Sequence, residues 1–260
     1  MTTYHLFDNH NEIAHFCTSR EGGVSVGNYA SFNLSPFSGD SHEKFSANRQ
    51  ILCEKLGIEA QQIIIPYQTH GTEIREINEE FFQLTDVEKS EYLAGVDAIF
   101  THLPTICLGI TTADCVPLLF YDTKKQVIAA AHAGWRGTCD RIAEKTINAL
   151  IEKYQCNPAD ILAIIGPSIS VEVYEVGKEV VDRFETAGFD TSKIIVKRGE
   201  SYYLDLWKAN QQSLENAGVQ PEHIEIAGIC TFTEHERFFS ARRLGIKSGR
   251  MLSGIMLKGS

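Results

Sequence analysis

Seven short apolar or alternating runs, each bounded by turn residues, constrain this chain most: 63–68, 72–77, 106–111, 116–121, 127–131, 161–166 and 224–229. Runs this brief, flanked by Gly, Pro, Asn and Asp, have the length of strands and not of helices. Several succeed one another through turns too tight for a crossover helix. That spacing predicts an α+β fold with a mixed, largely antiparallel sheet and outer helices, not a doubly wound parallel one. Four amphipathic stripes supply the helices. Ser41 caps one that runs to Leu56, with Phe45, Ile51, Leu52 and Leu56 on one side and Gly57 as its stop. A second begins at Thr138 or Asp140 and reaches Tyr154 through Ile142, Ile147, Leu150 and Ile151. Val176, Val180, Val181 and Phe184 precede Gly188 in a third, and Leu206, Ala209 and Leu214 precede Gly218 in a fourth. With no repeat, low-complexity stretch or linker, residues 1–260 are expected to form one layered α/β sandwich domain.

Composition excludes several classes of function. At 43% hydrophobic over 260 residues, the chain can bury a sizeable core without staples. Its 7 cysteines are odd in number and include no CxxC pair, and no secretory leader is evident, so a reducing cytoplasm is expected. No apolar run approaches the roughly 20 residues of a membrane span, so no membrane partner is expected. A formal charge of −10 argues against a nucleic-acid surface. It leaves room for a small anion held by a few gathered arginines. Monomer and dimer remain equally open.

The chemistry-bearing residues fall in three segments at strand ends: Gln68-Thr69-His70-Gly71, Thr112-Ala113-Asp114-Cys115, and His132-Ala133-Gly134-Trp135-Arg136-Gly137. Loops at strand ends bring side chains into a shared cleft. Two imidazoles and one thiolate form a good zinc set with a fourth position to spare, which suits hydrolytic deamination. Spacing alone leaves a metal-free alternative, in which Cys115 is a thiolate nucleophile, His132 its base and Asp114 the orienting group. The HxE and PCxxC pattern of cytidine deaminases is absent, as are the HxH clusters of multicopper oxidases.

Two segments suit anions. Arg20 sits in the Gly-Gly turn of residues 18–25, and Arg242 and Arg243 follow Phe238-Phe239-Ser240-Ala241. Solvated surface charge is the better expectation for Arg243, Arg141 and Arg198. Arg136 is open between a site residue and a structural ion pair. Asn33 is open between a ribose contact and an Asx turn.

Taken together, the Gln68–Gly71, Thr112–Pro117 and His132–Gly137 segments, Ile165-Gly166-Pro167 with Tyr174-Glu175-Val176-Gly177, and Phe239–Arg243 ending in Gly249-Arg250 resemble the YfiH-like laccase-domain proteins over nearly the whole chain. Those proteins were long labelled polyphenol oxidases and are now described as purine nucleoside phosphorylases. The resemblance implies a layered α/β sandwich and a zinc site on His70, Cys115 and His132. It further implies phosphorolysis of adenosine, inosine, guanosine and methylthioadenosine, deamination of adenosine, and phosphate candidates in Arg242 and Arg20. The placement of the triad at strand ends separately suggests that Asp114 or a ligand histidine handles protons during deamination. The rivals are a copper-dependent polyphenol oxidase on the same triad, a Cys-His hydrolase of cell-wall precursor amides, and a non-enzymatic binding module.

Overall fold

The computed structural model describes residues 1–259. Its centre is a six-stranded sheet in the order Ile224–Ile226, Ile161–Ile165, Val116–Asp122, Val127–Ala133, Val96–Thr101, Glu73–Glu76. The three inner pairings of that sheet are antiparallel and the two edge pairings parallel. A second sheet orders Ile13–Cys17, Met251–Leu257, Cys107–Thr112 and Ile63–Ile64. A small third sheet joins Ile195–Arg198, Ser201–Leu204 and Glu175–Val176. The mixed, largely antiparallel α+β architecture is the one the run spacing predicts.

Strand alternation explains the layering. Leu118, Phe120, Ala129 and Ala131 point from one face of the central sheet onto the helices Ile142–Tyr154, Lys178–Thr186 and Leu206–Asn216. Leu119, Tyr121, Ile128 and Ala130 point the other way, against Leu108, Ile110 and Ile255 of the second sheet. The outer face of that sheet, with Phe16, Cys107, Leu252 and Met256, packs on Leu52 and Cys53 of the helix His42–Leu56. Helix, sheet, sheet and helix therefore stack in four layers. Ser41 accepts the Lys44 amide at 3.3 Å, and Gly57 takes the left-handed turn at φ 68° that ends this helix.

Some boundaries differ, for local reasons. Pro66 cannot donate to a ladder, so the 63–68 run forms a strand only at Ile63–Ile64, with an isolated bridge from Tyr67 to Ala94 beyond the proline. Gly228, at φ 67°, turns the 224–229 run away after Ile226. Arg141 is left-handed, so the expected helix start at Thr138 or Asp140 becomes a short helix Trp135–Cys139 followed by Ile142–Tyr154. Val176 lies in a strand and not on the stripe of Lys178–Thr186. Among the described residues, no helix is long and apolar enough to cross a membrane.

Candidate metal centre and substrate cleft

The donor atoms of His70, Cys115 and His132 lie within 4.8 Å of one another. The strand Val127–Ala133 continues two residues past the expected 127–131 run, so His132 lies within it and not just beyond it. Its pairing with Pro117 fixes its direction. Cys115 lies between Cys107–Thr112 and Val116–Asp122, just after Asp114 at φ 86°. His70 has φ 64°, a conformation that costs a non-glycine residue energy unless neighbours hold it.

Asp97 supplies that hold. This fully buried carboxylate, in the strand Val96–Thr101, accepts the backbone N–H groups of Thr69 at 3.1 Å, His70 at 3.0 Å and Gly71 at 2.8 Å. It also lies 2.7 Å from His132 Nδ1. Burial opposes its charge, but the His132 ring and the loop amides outweigh this and hold its carboxyl below the usual range. An ionised carboxylate only accepts, so Nδ1 donates and Nε2 is the ring nitrogen left for a ligand. One side chain thus positions both histidines. Sequence reasoning missed it, although an aspartate inside an otherwise apolar strand is a readable signal.

The electrostatics suit a cation. Burial would raise the Cys115 thiol, but the His132 and His70 imidazoles beside it bring it down to about 6. Burial would lower His132, but Cys115 and Asp97 lift it to about 9. The two imidazole rings meet edge to face with centroids 4.8 Å apart. Gly134 closes the cradle from behind, because a Cβ there would stand 2.9 Å from His70 Cδ2 and 3.2 Å from Cys115 Sγ. Gly134→Ala is therefore expected to displace His70 and weaken metal retention about tenfold or more, by the rule for disturbed ligand support. Competition with a chromogenic chelator measures this, and unchanged affinity would contradict the geometry.

Two cavities meet at His70 and Cys115. The larger, about 380 Å³, is also lined by His132, Gln68, Thr111, Thr112, Ser35, Ser38 and Arg250, with Phe37 and Tyr67 among its walls. Those two rings are about half exposed, with centroids 4.8 Å apart. The smaller, about 150 Å³, is walled by Asp114, Trp135, Arg136, Ile169, Tyr174 and Leu206.

The other sequence candidates divide. Asn33 is fully buried, accepts the Ser35 and Arg250 amides at 3.2 and 3.0 Å, and donates to Ser38 and Asp40 at 2.9 and 3.2 Å. It makes the Asx turn and has no face toward the cleft, which removes the ribose contact. Arg20 donates to the carbonyls of Ala30 and His235 at 3.0 and 2.8 Å and stacks on Phe239, so it braces loops and lines neither cavity. Arg242 lies over Tyr174 and donates to the Glu175 carbonyl. Asp114 accepts Thr231 Oγ1 at 2.8 Å, Ser240 Oγ at 3.0 Å and the Arg242 amide at 2.7 Å, tying the Thr231 and Ser240–Arg242 segments to the Cys115 segment. The guanidinium that does line the larger cavity is Arg250, held by the carbonyls of Ile246, Ser248 and Gly249. Among the described residues, Arg136 makes neither an ion pair nor a side-chain hydrogen bond. The structural pairing weighed for it is not found.

A family model described as multi-copper polyphenol oxidoreductase laccase matches residues 14–258. A purine nucleoside phosphorylase of Bacteroides thetaiotaomicron is 45% identical over 259 residues, covering 99% of this chain and 96% of that protein. Adenosine deaminase RL5, from an unknown prokaryotic organism, is 39% identical over 94% of this chain and 93% of its own length. The crystal structure of the Bacillus licheniformis hypothetical protein YfiH superposes with a TM-score of 0.89 at 31% identity, covering 95% of this chain and 94% of that one.

Proposed function

The chain belongs to the YfiH-like laccase-domain family, and on that footing we propose that it is a zinc-dependent purine nucleoside phosphorylase that also deaminates adenosine. Its substrates are adenosine, inosine, guanosine and methylthioadenosine, with inorganic phosphate as co-substrate, and it works in the cytoplasm as a single domain. The observation that carries this reading is the convergence of His70, Cys115 and His132 beside a cleft of about 380 Å³, within the range of small-molecule sites. The donor set fits zinc: two imidazoles and a thiol already biased toward thiolate, fixed by a carboxylate behind them. Zinc held there supplies Lewis acidity at the cleft floor.

The chain's own residues do the rest. Asp97 holds His132 and the His70 loop rigid, so the donors need no rearrangement to act. Phe37 and Tyr67 offer aromatic faces on which a purine can stack at the mouth. Arg250 sets a positive charge in the wall. Asp114 keeps the Cys115 loop joined to the Ser240–Arg242 segment. With its carboxylate taking three donors, we assign it to positioning and not to proton transfer. The larger family description mentions several coppers, but the donor group seen here accommodates a single ion.

Product identification tests this reading. Zinc-loaded protein given adenosine alone is expected to yield inosine. With phosphate added, adenine and ribose 1-phosphate should appear as well. Phenol oxidation confined to copper-loaded protein, with no nucleoside product from the zinc form, would replace the reading with an oxidase.

A further inference from the structure

The smaller cavity has no part in the account so far. Among the described residues, it is the place where an arginine whose guanidinium has no hydrogen-bond partner shares a wall with His70 and Cys115. Trp135 is flanked by two guanidinium groups: Arg136 at 4.3 Å and Arg183 at 5.5 Å from the ring centroid. Arg183 is committed to Asp140, with both contacts at 3.0 Å. Arg242, over Tyr174, gives both terminal nitrogens to the Glu175 carbonyl at 3.3 and 3.2 Å. In the larger cavity, the Arg250 donors go to backbone carbonyls and Ser248. Arg136 alone among these four has no such partner among the described residues, and it is exposed on the wall it shares with Tyr174, His70 and Cys115. The one carboxylate on that wall, Asp114, is already bonded by Thr231, Ser240 and the Arg242 amide.

Size separates the two cavities by ligand. Clefts that hold drug-sized molecules begin near about 300 Å³, so the 380 Å³ cavity admits a nucleoside and the 150 Å³ one does not. A guanidinium fork matches a tetrahedral oxyanion. We infer that the small cavity receives inorganic phosphate on Arg136 while the nucleoside occupies the larger one, the two substrates meeting at His70 and Cys115. This rests on the phosphorolytic reading above. In the step, an oxygen of hydrogen phosphate forms a bond to ribose C1′ as the bond to the purine N9 breaks, its electron pair leaving with the base. The proton that hydrogen phosphate gives up balances the one the purine takes, and no oxidant or reductant is consumed.

Steady-state kinetics of Arg136→Ala and Arg136→Lys, with phosphate and adenosine varied separately, test the assignment. Arg136→Ala is expected to raise the phosphate KM at least tenfold with little change in the nucleoside KM. The ratio of inosine to adenine formed from adenosine should rise in step, because deamination uses no phosphate. Arg136→Lys keeps the charge without the fork and should fall between. An unchanged phosphate KM in Arg136→Ala, beside a wild type that phosphorolyses normally, overturns the role of Arg136 and leaves the phosphorolytic reading standing. Equal loss of inosine and adenine formation also overturns it, since a residue that merely shapes the site would do that. Absence of any phosphate-dependent product from the wild type overturns both together.

Discussion

Cys115→Ala is expected to lower kcat/KM for both adenosine deamination and phosphorolysis by roughly a thousandfold or more, the scale expected when a Lewis-acid centre is lost. The substitution takes the thiolate from a three-donor set and leaves two imidazoles, too few to retain zinc against solvent. The fold should not notice. Cys115 is half-buried in a loop, and the hydrogen bonds holding that loop come from Asp114. Metal-free variant and metal-free wild type should therefore unfold at the same denaturant concentration. Chelation separates this account from a Cys115–His132 nucleophile pair, which would keep turning over after the metal is stripped. Full activity in Cys115→Ala would remove the centre from the chemistry altogether.

Asp97→Asn should damage both stability and metal affinity. The carboxylate presents only acceptors to five donors, the Thr69, His70 and Gly71 amides, Thr69 Oγ1 and His132 Nδ1. An amide turns one end into a donor and faces N–H against N–H at a fully buried site. A loss on the order of 3 kcal/mol follows from breaking one partner out of a buried charged network. Zinc affinity should fall about 10- to 100-fold, as for other groups that orient ligand histidines. Urea unfolding of the metal-free protein reads the first effect, and chelator competition the second. If stability falls while affinity holds, Asp97 supports the His70 loop but does not aim His132.

Much of this was readable from residue order, and the exceptions share a cause. The helix His42–Leu56 announced itself through Ser41 and Gly57 because caps are local chemistry. The triad was legible because loop segments bearing His and Cys stand out between apolar runs. The strands Ile13–Cys17, Val96–Thr101 and Met251–Leu257 went unread. Met251–Leu257 is buried at every position between two neighbours, so it has no alternation to display. Asp97 was hidden with its strand, and with it the reason His70 tolerates a left-handed backbone. Asn33, Arg20 and Asp114 drew attention as polar residues in loops, yet their partners are distant in sequence: Arg250, His235, and Thr231 with Ser240. Arg136 presents the converse case, since only the fold reveals which arginines have been left without partners.

The claim beneath all of this is that one ion sits between two imidazole nitrogens and one sulfur. X-ray absorption at the zinc edge, on protein loaded with one equivalent of zinc, tests it most directly. The account predicts a first shell with one sulfur near about 2.3 Å and nitrogen or oxygen neighbours near about 2.0 Å, with the sulfur contribution lost in Cys115→Ala. A shell with no sulfur, or one that keeps its sulfur when Cys115 is gone, would contradict it.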